Sequence, residues 1–177
     1  MNVRAGVITV STRGAAGSRI DESGPALRDG LIAAGAEVVH ESLVPDDVDR
    51  VATAILGAVR AGANVVLTTG GTGLSPNDVT PEATRRVIDR EVPGIAEALR
   101  ARSLEQTPHG MLSRGVAGAV GSALVVNLPG SPRAVRESLD VLLPVLPHAV
   151  ELLAGQSGEQ SHRTPGGTRG AKPPSTA

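Results

Sequence analysis

Thr68–Glu82 reads TTGGTGLSPNDVTPE and follows the apolar run Ala63-Asn64-Val65-Val66-Leu67. The run has the length and composition of a buried strand. A glycine cluster then turns the chain, an acid follows, and Thr80-Pro81 opens a helix. Strand, glycine turn, acid and helix start, in that order, point to a phosphate and metal site beyond the carboxyl end of a sheet. Gly70, Gly71 and Gly73 let the backbone take positive φ and approach a ligand, and their N–H groups can form an anion nest. Thr69 and Thr72 add hydroxyl donors. Thr80 is expected as the N-cap and Pro81 as the first helical residue. Asp78, just before that cap, could hold Mg²⁺ between phosphate oxygens. The competing reading is a tight turn that only reverses the chain.

Strand and helix signals alternate outward from this segment. Strands are expected over Val3–Ser11, Ala36–Val44, Ala63–Thr68 and Leu124–Leu128. A glycine-rich loop, Gly14–Gly17, precedes a helix from Ser23 to Ala34 that Gly35 ends. A second helix spans Val48–Ala61, capped by Asp46 or Asp47, with Val51, Ile55 and Val59 on one face. Gly62 suits its C-terminus. Further helices are expected over Pro81–Asp89, Gly94–Leu104 and Pro132–Leu153, the last bent near Pro144 and Pro147. Repeated βα order with short loops implies an α/β domain, a three-layer αβα sandwich on a mainly parallel sheet. That domain is expected over residues 1–154. Residues 155–177 are Gly-, Ser- and Pro-rich with almost no aliphatic side chains, so they are expected to form a disordered tail.

Composition excludes several function classes. The chain has 177 residues, which suits one domain, and a formal net charge of −1. No global field recruits nucleic acid or an anionic membrane. With no cysteine there are no disulfides, thiol nucleophiles or cysteine metal sites. No apolar run is long enough to span a bilayer, and no signal peptide is expected. A cytoplasmic location follows as an expectation. Phe, Trp and Tyr are all absent, so a planar ring cannot stack on an aromatic side chain of this chain. The stacking platforms of single-strand nucleic-acid binders are missing. There is no GxxxxGK[ST] loop, no GxGxxG after the first strand, and no GxSxG elbow. His40, His109, His148 and His162 are too scattered for a zinc cluster.

Several motifs in order resemble the molybdopterin-binding fold of the Mog-type molybdopterin adenylyltransferases, the MoaB proteins and the G domain of gephyrin. They are TTGGTG with DVTPEAT, VITVS (Val7–Ser11), the DxSG element Asp21–Gly24, the VPD element Val44–Asp46, the SRG element Ser113–Gly115, and NLPGSP (Asn127–Pro132). The resemblance runs from about Val3 to Ala154. It implies adenylylation of molybdopterin by Mg²⁺-ATP with release of pyrophosphate, in the biosynthesis of the molybdenum cofactor. It carries the catalytic and metal-holding acids onto Asp46 and Asp78. Asp47 competes with Asp46, since either can cap the following helix.

Substrate-binding candidates are Ser11, Thr69, Gly70, Gly71, Thr72, Gly73, Thr80, Pro81, Glu82, Ser113, Arg114, Asn127, Pro129, Gly130 and Ser131. Arg114 is expected to pair with a phosphate. Thr12 stands where many members carry Asp, and Asp21 could substitute as the acid of the first loop. The attacking phosphate oxygen is already ionised, so the chemistry needs charge stabilisation and positioning more than a base. The resemblance also implies a homotrimer, with a molybdenum-inserting protein as a candidate partner. A non-catalytic binding or scaffold protein of the same fold, and a nucleotide pyrophosphatase of the competence-damage type, are the alternatives.

Overall fold

The structure is a computed structural model that describes residues 2–155. The expected tail therefore lies outside the described residues beyond Gly155. The elements, in chain order, are β1 (Arg4–Val10), α1 (Thr12–Ala15), α2 (Ser23–Ala33), β2 (Glu37–Val44), α3 (Val48–Arg60), β3 (Val65–Thr69) and α4 (Thr80–Arg85). Then come β4 (Arg90–Glu91), α5 (Pro93–Leu104), a 3₁₀ turn (Pro108–Leu112), β5 (Ala117–Val120), β6 (Ala123–Leu128), α6 (Pro132–Leu142) and α7 (Leu146–Leu153).

The sheet order is β2-β1-β3-β6-β5-β4. β2, β1, β3 and β6 run parallel, while β5 and β4 continue the sheet antiparallel. β3 is buried along its whole length, as its apolar run demands. One face carries a core of Leu27, Leu31, Leu67, Leu139, Leu142 and Leu146, which seats α2, α6 and α7. The other carries Ile8, Val51, Ile55, Ala58, Val66 and Ala83, which seats α3 and α4. The three-layer α/β sandwich is therefore present, and both cores are built without an aromatic ring. After β1 the chain moves to β2 on one side, then crosses back to β3 on the other. That reversal leaves a crevice beyond the carboxyl ends of β1 and β3.

Several boundaries differ from expectation. The segment after Ser11 is not an irregular loop: Thr12–Ala15 winds one helical turn, with the Ser11 hydroxyl accepting from the Gly14 N–H at 3.1 Å. α4 stops at Arg85 rather than Asp89, because Asp89 and Val92 turn their N–H groups to the Ala119 and Ala117 carbonyls of β5. Thr80 is not the N-cap of α4 but its first residue; its hydroxyl donates to the Gly70 carbonyl at 2.8 Å. The closing helix is broken rather than bent, with α6 ending at Leu142 and α7 beginning at Leu146 around Pro144 and Pro147. β5 has no counterpart among the expected strands. It forms a hairpin with β6 in which Val120 faces Ala123 across Gly121-Ser122.

The helix-cap ambiguity at Asp46-Asp47 resolves cleanly. The Asp47 side chain accepts from the Arg50 N–H at 2.9 Å and caps α3. We expect Asp47→Ala to cost about 1 kcal/mol, the ordinary worth of such a cap. Urea unfolding checks this; a wild-type midpoint in the variant would remove the cap from the account of α3.

Candidate functional site

A cleft of about 760 Å³ lies over the crevice between β1 and β3. Its floor is the end of β1 and the glycine turn that follows β3. Gly70 and Gly71 both hold positive φ, +100° and +64°, and a Cβ on Gly70 would collide with the Val10 carbonyl. Only glycine gives the turn this shape against β1. The N–H groups of Gly71 and Gly130, both on the cleft wall, donate to no acceptor among the described residues. They are the kind of donors that receive phosphate oxygens.

Two expected acids meet here. Asp46 enters from the end of β2, and Asp78 from the turn before α4. Asp46 Oδ2 accepts from the Thr12 N–H and hydroxyl, both at 2.7 Å. Asp78 Oδ2 accepts from the Ser75 N–H at 3.1 Å. Neither residue's Oδ1 accepts a hydrogen bond among the described residues. No group of three or more metal-ligating side chains occurs among the described residues. Two carboxylates with free oxygens suit Mg²⁺, which is held by one or two acids and completes its shell with water and substrate phosphates.

Asp21 also faces the cleft, but its carboxylate is taken. Oδ1 accepts from Ser23 N, Ser23 Oγ and Gly24 N at 3.0–3.1 Å, and Oδ2 accepts from the Thr9 hydroxyl at 2.7 Å. These bonds anchor the start of α2 to β1.

The other candidates separate into two groups. Ser11, Gly70, Gly71 and Gly130 line the cleft with Asp46 and Asp78. The rest lie off its wall. Thr69 donates its hydroxyl to the Pro129 carbonyl at 2.8 Å, tying the glycine turn to the NLPGSP loop. Thr72, Thr80 and Pro81 are buried, and Ser131 caps α6 by accepting from Ala134 N–H. Asn127 is buried, its amide donating to the Thr68 and Thr84 hydroxyls. Ser113 and Pro129 line a small separate hollow beside α5.

Arg114 holds the loop that carries Asp78. Its Nε donates to the Gly73 carbonyl at 2.7 Å, its Nη2 to the Asp78 carbonyl at 2.5 Å, and its guanidinium pairs with Glu82. That hydrogen bond, rather than the milder charge effect, holds the Glu82 carboxyl below its ordinary value against the small cost of burial. The sign follows from linkage. The pair stabilises the fold above the unfolded glutamate value of about 4.3 and the contribution fades as pH falls through the lower folded value. Because Glu82 is largely exposed, the effect is about 1 kcal/mol at most. Carbon-detected NMR titration should place Glu82 below its usual range and Arg114→Ala should return it; an unchanged midpoint in the variant would refute the pairing.

Two basic cleft residues lie outside the expected site. Arg13 and Arg19 line the cleft, and neither forms an ion pair among the described residues. The Arg13 carbonyl accepts from Ser18 N, Ser18 Oγ and Arg19 N at 2.9–3.2 Å, which folds the two arginines onto one short loop. Their spacing around the glycine-rich loop was the available signal.

Open α/β sheets hold phosphorylated small molecules in this way, at the point where strand order reverses. The family described as "Probable molybdopterin binding domain" matches residues 6–148. The chain belongs to that family. It is 50% identical to the MoaB molybdopterin biosynthesis enzyme of Thermus thermophilus, whose crystal structure superposes with a TM-score of 0.80 over 86% of this chain and 97% of that one. It is 39% identical to the molybdopterin adenylyltransferase of Pyrococcus furiosus, covering 82% of this chain and 90% of the relative. It is 38% identical to gephyrin of Dictyostelium discoideum over 90% of this chain, but spans only 24% of that longer protein.

Proposed function

We infer that the chain acts in molybdenum cofactor biosynthesis as a molybdopterin adenylyltransferase. The observation that carries this reading is the convergence of Asp46 and Asp78, each with a free carboxylate oxygen, on the glycine turn at the switch point. ATP and molybdopterin are the substrates. A terminal phosphate oxygen of molybdopterin attacks the α-phosphorus of ATP. The new P–O bond forms as the bond from the α-phosphorus to the bridging oxygen breaks, and pyrophosphate leaves with that electron pair. The nucleophile is an ionised oxygen, so no side chain need remove a proton.

The chain's task is to gather anions. Asp46 and Asp78 would hold Mg²⁺, which supplies neutralisation of the phosphate charge when bound. Gly71 and Gly130 offer N–H groups to developing oxyanions. Arg13 and Arg19 offer positive charge to the triphosphate. Ser11, Thr69, Thr72, Gly73, Thr80, Pro81, Glu82, Ser113, Arg114, Asn127, Pro129 and Ser131 are assigned to building or contacting this site. With no aromatic ring in the chain, the adenine and pterin rings rest on aliphatic side chains and peptide planes; Ile20, 84% exposed on the cleft rim, is one such surface.

The working unit is residues 1–154, placed in the cytoplasm and assembled as a homotrimer that hands its product to a molybdenum-inserting protein. Light scattering at micromolar concentration should give three times the monomer mass, and a strict monomer would remove the assembly from this account. The test of function is pyrophosphate release from Mg²⁺-ATP with and without molybdopterin. Release that requires molybdopterin is expected. Release without it would favour a pyrophosphatase. No release, with molybdopterin still bound, would make the protein a binder or scaffold.

A further inference from the structure

We propose that Thr12 is a positioning residue for Asp46, fixing which carboxylate oxygen faces the substrates; this rests on the adenylyltransferase reading. Thr12 opens α1, two residues past the end of β1, and Asp46 lies two residues past the end of β2, so the two meet across neighbouring strand ends. Three hydrogen bonds join them. Thr12 N–H and Thr12 Oγ1–H both reach Asp46 Oδ2 at 2.7 Å, and Asp46 N–H returns to Thr12 Oγ1 at 3.0 Å.

This closed pair sets the hydroxyl proton by chemistry alone. A threonine hydroxyl has one proton and two lone pairs. The Asp46 N–H can only donate, so it takes a lone pair. The Oδ2 atom can only accept, so it takes the proton. Oδ2 is thereby engaged twice, while Oδ1 has no partner among the described residues. Oδ1 faces the glycine turn: a Cβ on Gly71 would stand 3.1 Å from it. The carboxylate is thus presented with one oxygen tied and one free.

Threonine does this without adding charge. An aspartate at position 12 has no proton to donate to Oδ2 at neutral pH, and would set a second negative charge beside the first. Threonine is therefore a neutral donor that orients Asp46. Exposure of Thr12 at the cleft mouth sets it apart from core packing, so its removal should be read in the site more than in the fold.

The experiment compares wild type, Thr12→Val and Thr12→Ser. Valine keeps the shape and removes the hydroxyl; serine keeps the hydroxyl. Mn²⁺ binding in the presence of ATP, followed by electron paramagnetic resonance, reads the carboxylate directly without turnover. Thermal unfolding and pyrophosphate release are measured alongside. Supporting groups of a metal ligand cost about 10–100-fold when removed. We expect Thr12→Val to weaken Mn²⁺ binding and lower kcat within that range, with the KM for ATP and the Tm little changed, and Thr12→Ser to restore most of both losses. Wild-type Mn²⁺ affinity and kcat in Thr12→Val would overturn the assignment. So would losses that Thr12→Ser does not recover. Thr12→Ala gives the same two readings should the valine variant not fold. Failure of the adenylyltransferase reading shows separately, as wild-type protein that binds Mn²⁺-ATP yet releases no pyrophosphate with molybdopterin.

Discussion

Asp78→Asn should lower molybdopterin-dependent pyrophosphate release by at least about 10²-fold, the scale at which one charge-stabilising group in an active site is felt. The substitution is nearly isosteric. The amide oxygen of asparagine can still accept from the Ser75 N–H, which the carboxylate does at 3.1 Å. The Asp78 carbonyl still receives Arg114 Nη2. Loop geometry is therefore retained while a negative charge and a hard ligand oxygen are removed. Binding of metal-free ATP should not weaken, since the lost carboxylate repels rather than attracts phosphate. Asp46→Asn should behave alike, and the double variant should be little worse than either single, because groups that act as a unit are not additive. Unfolding midpoints should stay near wild type. Adenylyl transfer at near wild-type rate in Asp78→Asn would remove the acid from the mechanism.

The glycine turn and its neighbours were legible because each step has a local cause. An apolar run wrapped on both faces made β3, and the paired glycines allowed the left-handed turn that β1 presses against. What escaped was set by long-range partners. The run Ala117–Val120 is Ala-Gly-Ala-Val, with one strong strand former in four, and pairing with β6 makes it a strand. Its signal was the Gly121-Ser122 pair between two apolar segments, a two-residue hairpin pattern. Thr80 has every local attribute of a cap, yet its hydroxyl is drawn to the Gly70 carbonyl ten residues back. The acids could be placed by strand order, because the switch point collects whatever follows β1, β2 and β3. Arg114 could not, since its partners Gly73, Asp78 and Glu82 are distant in sequence and known only once the loop folds over it.

Asn127 marks the same boundary and carries the largest stability effect we expect. It lies in β6, level with Thr68 of β3, and opens the loop that reaches the cleft. Its side chain turns inward. Oδ1 accepts from the Val116 N–H at 3.2 Å, and Nδ2 donates to Thr68 Oγ1 at 3.0 Å and Thr84 Oγ1 at 2.8 Å. One amide therefore joins β6, β3, α4 and the segment entering β5. Thr68 and Thr84 are fully buried, so water does not readily replace it. Asn127→Ala strips a partner from three buried groups. At about 1–3 kcal/mol for each group left unsatisfied, partly relieved by relaxation, the expected cost is about 3–5 kcal/mol. That is a large share of a usual domain stability of about 5–15 kcal/mol. Thr84→Val, which leaves only one amide proton unpaired, should cost about 1–2 kcal/mol. Urea denaturation of the three proteins tests this ordering. If Asn127→Ala unfolds at the wild-type midpoint and only weakens molybdopterin binding, the amide belongs to the substrate and not to the joint between strands.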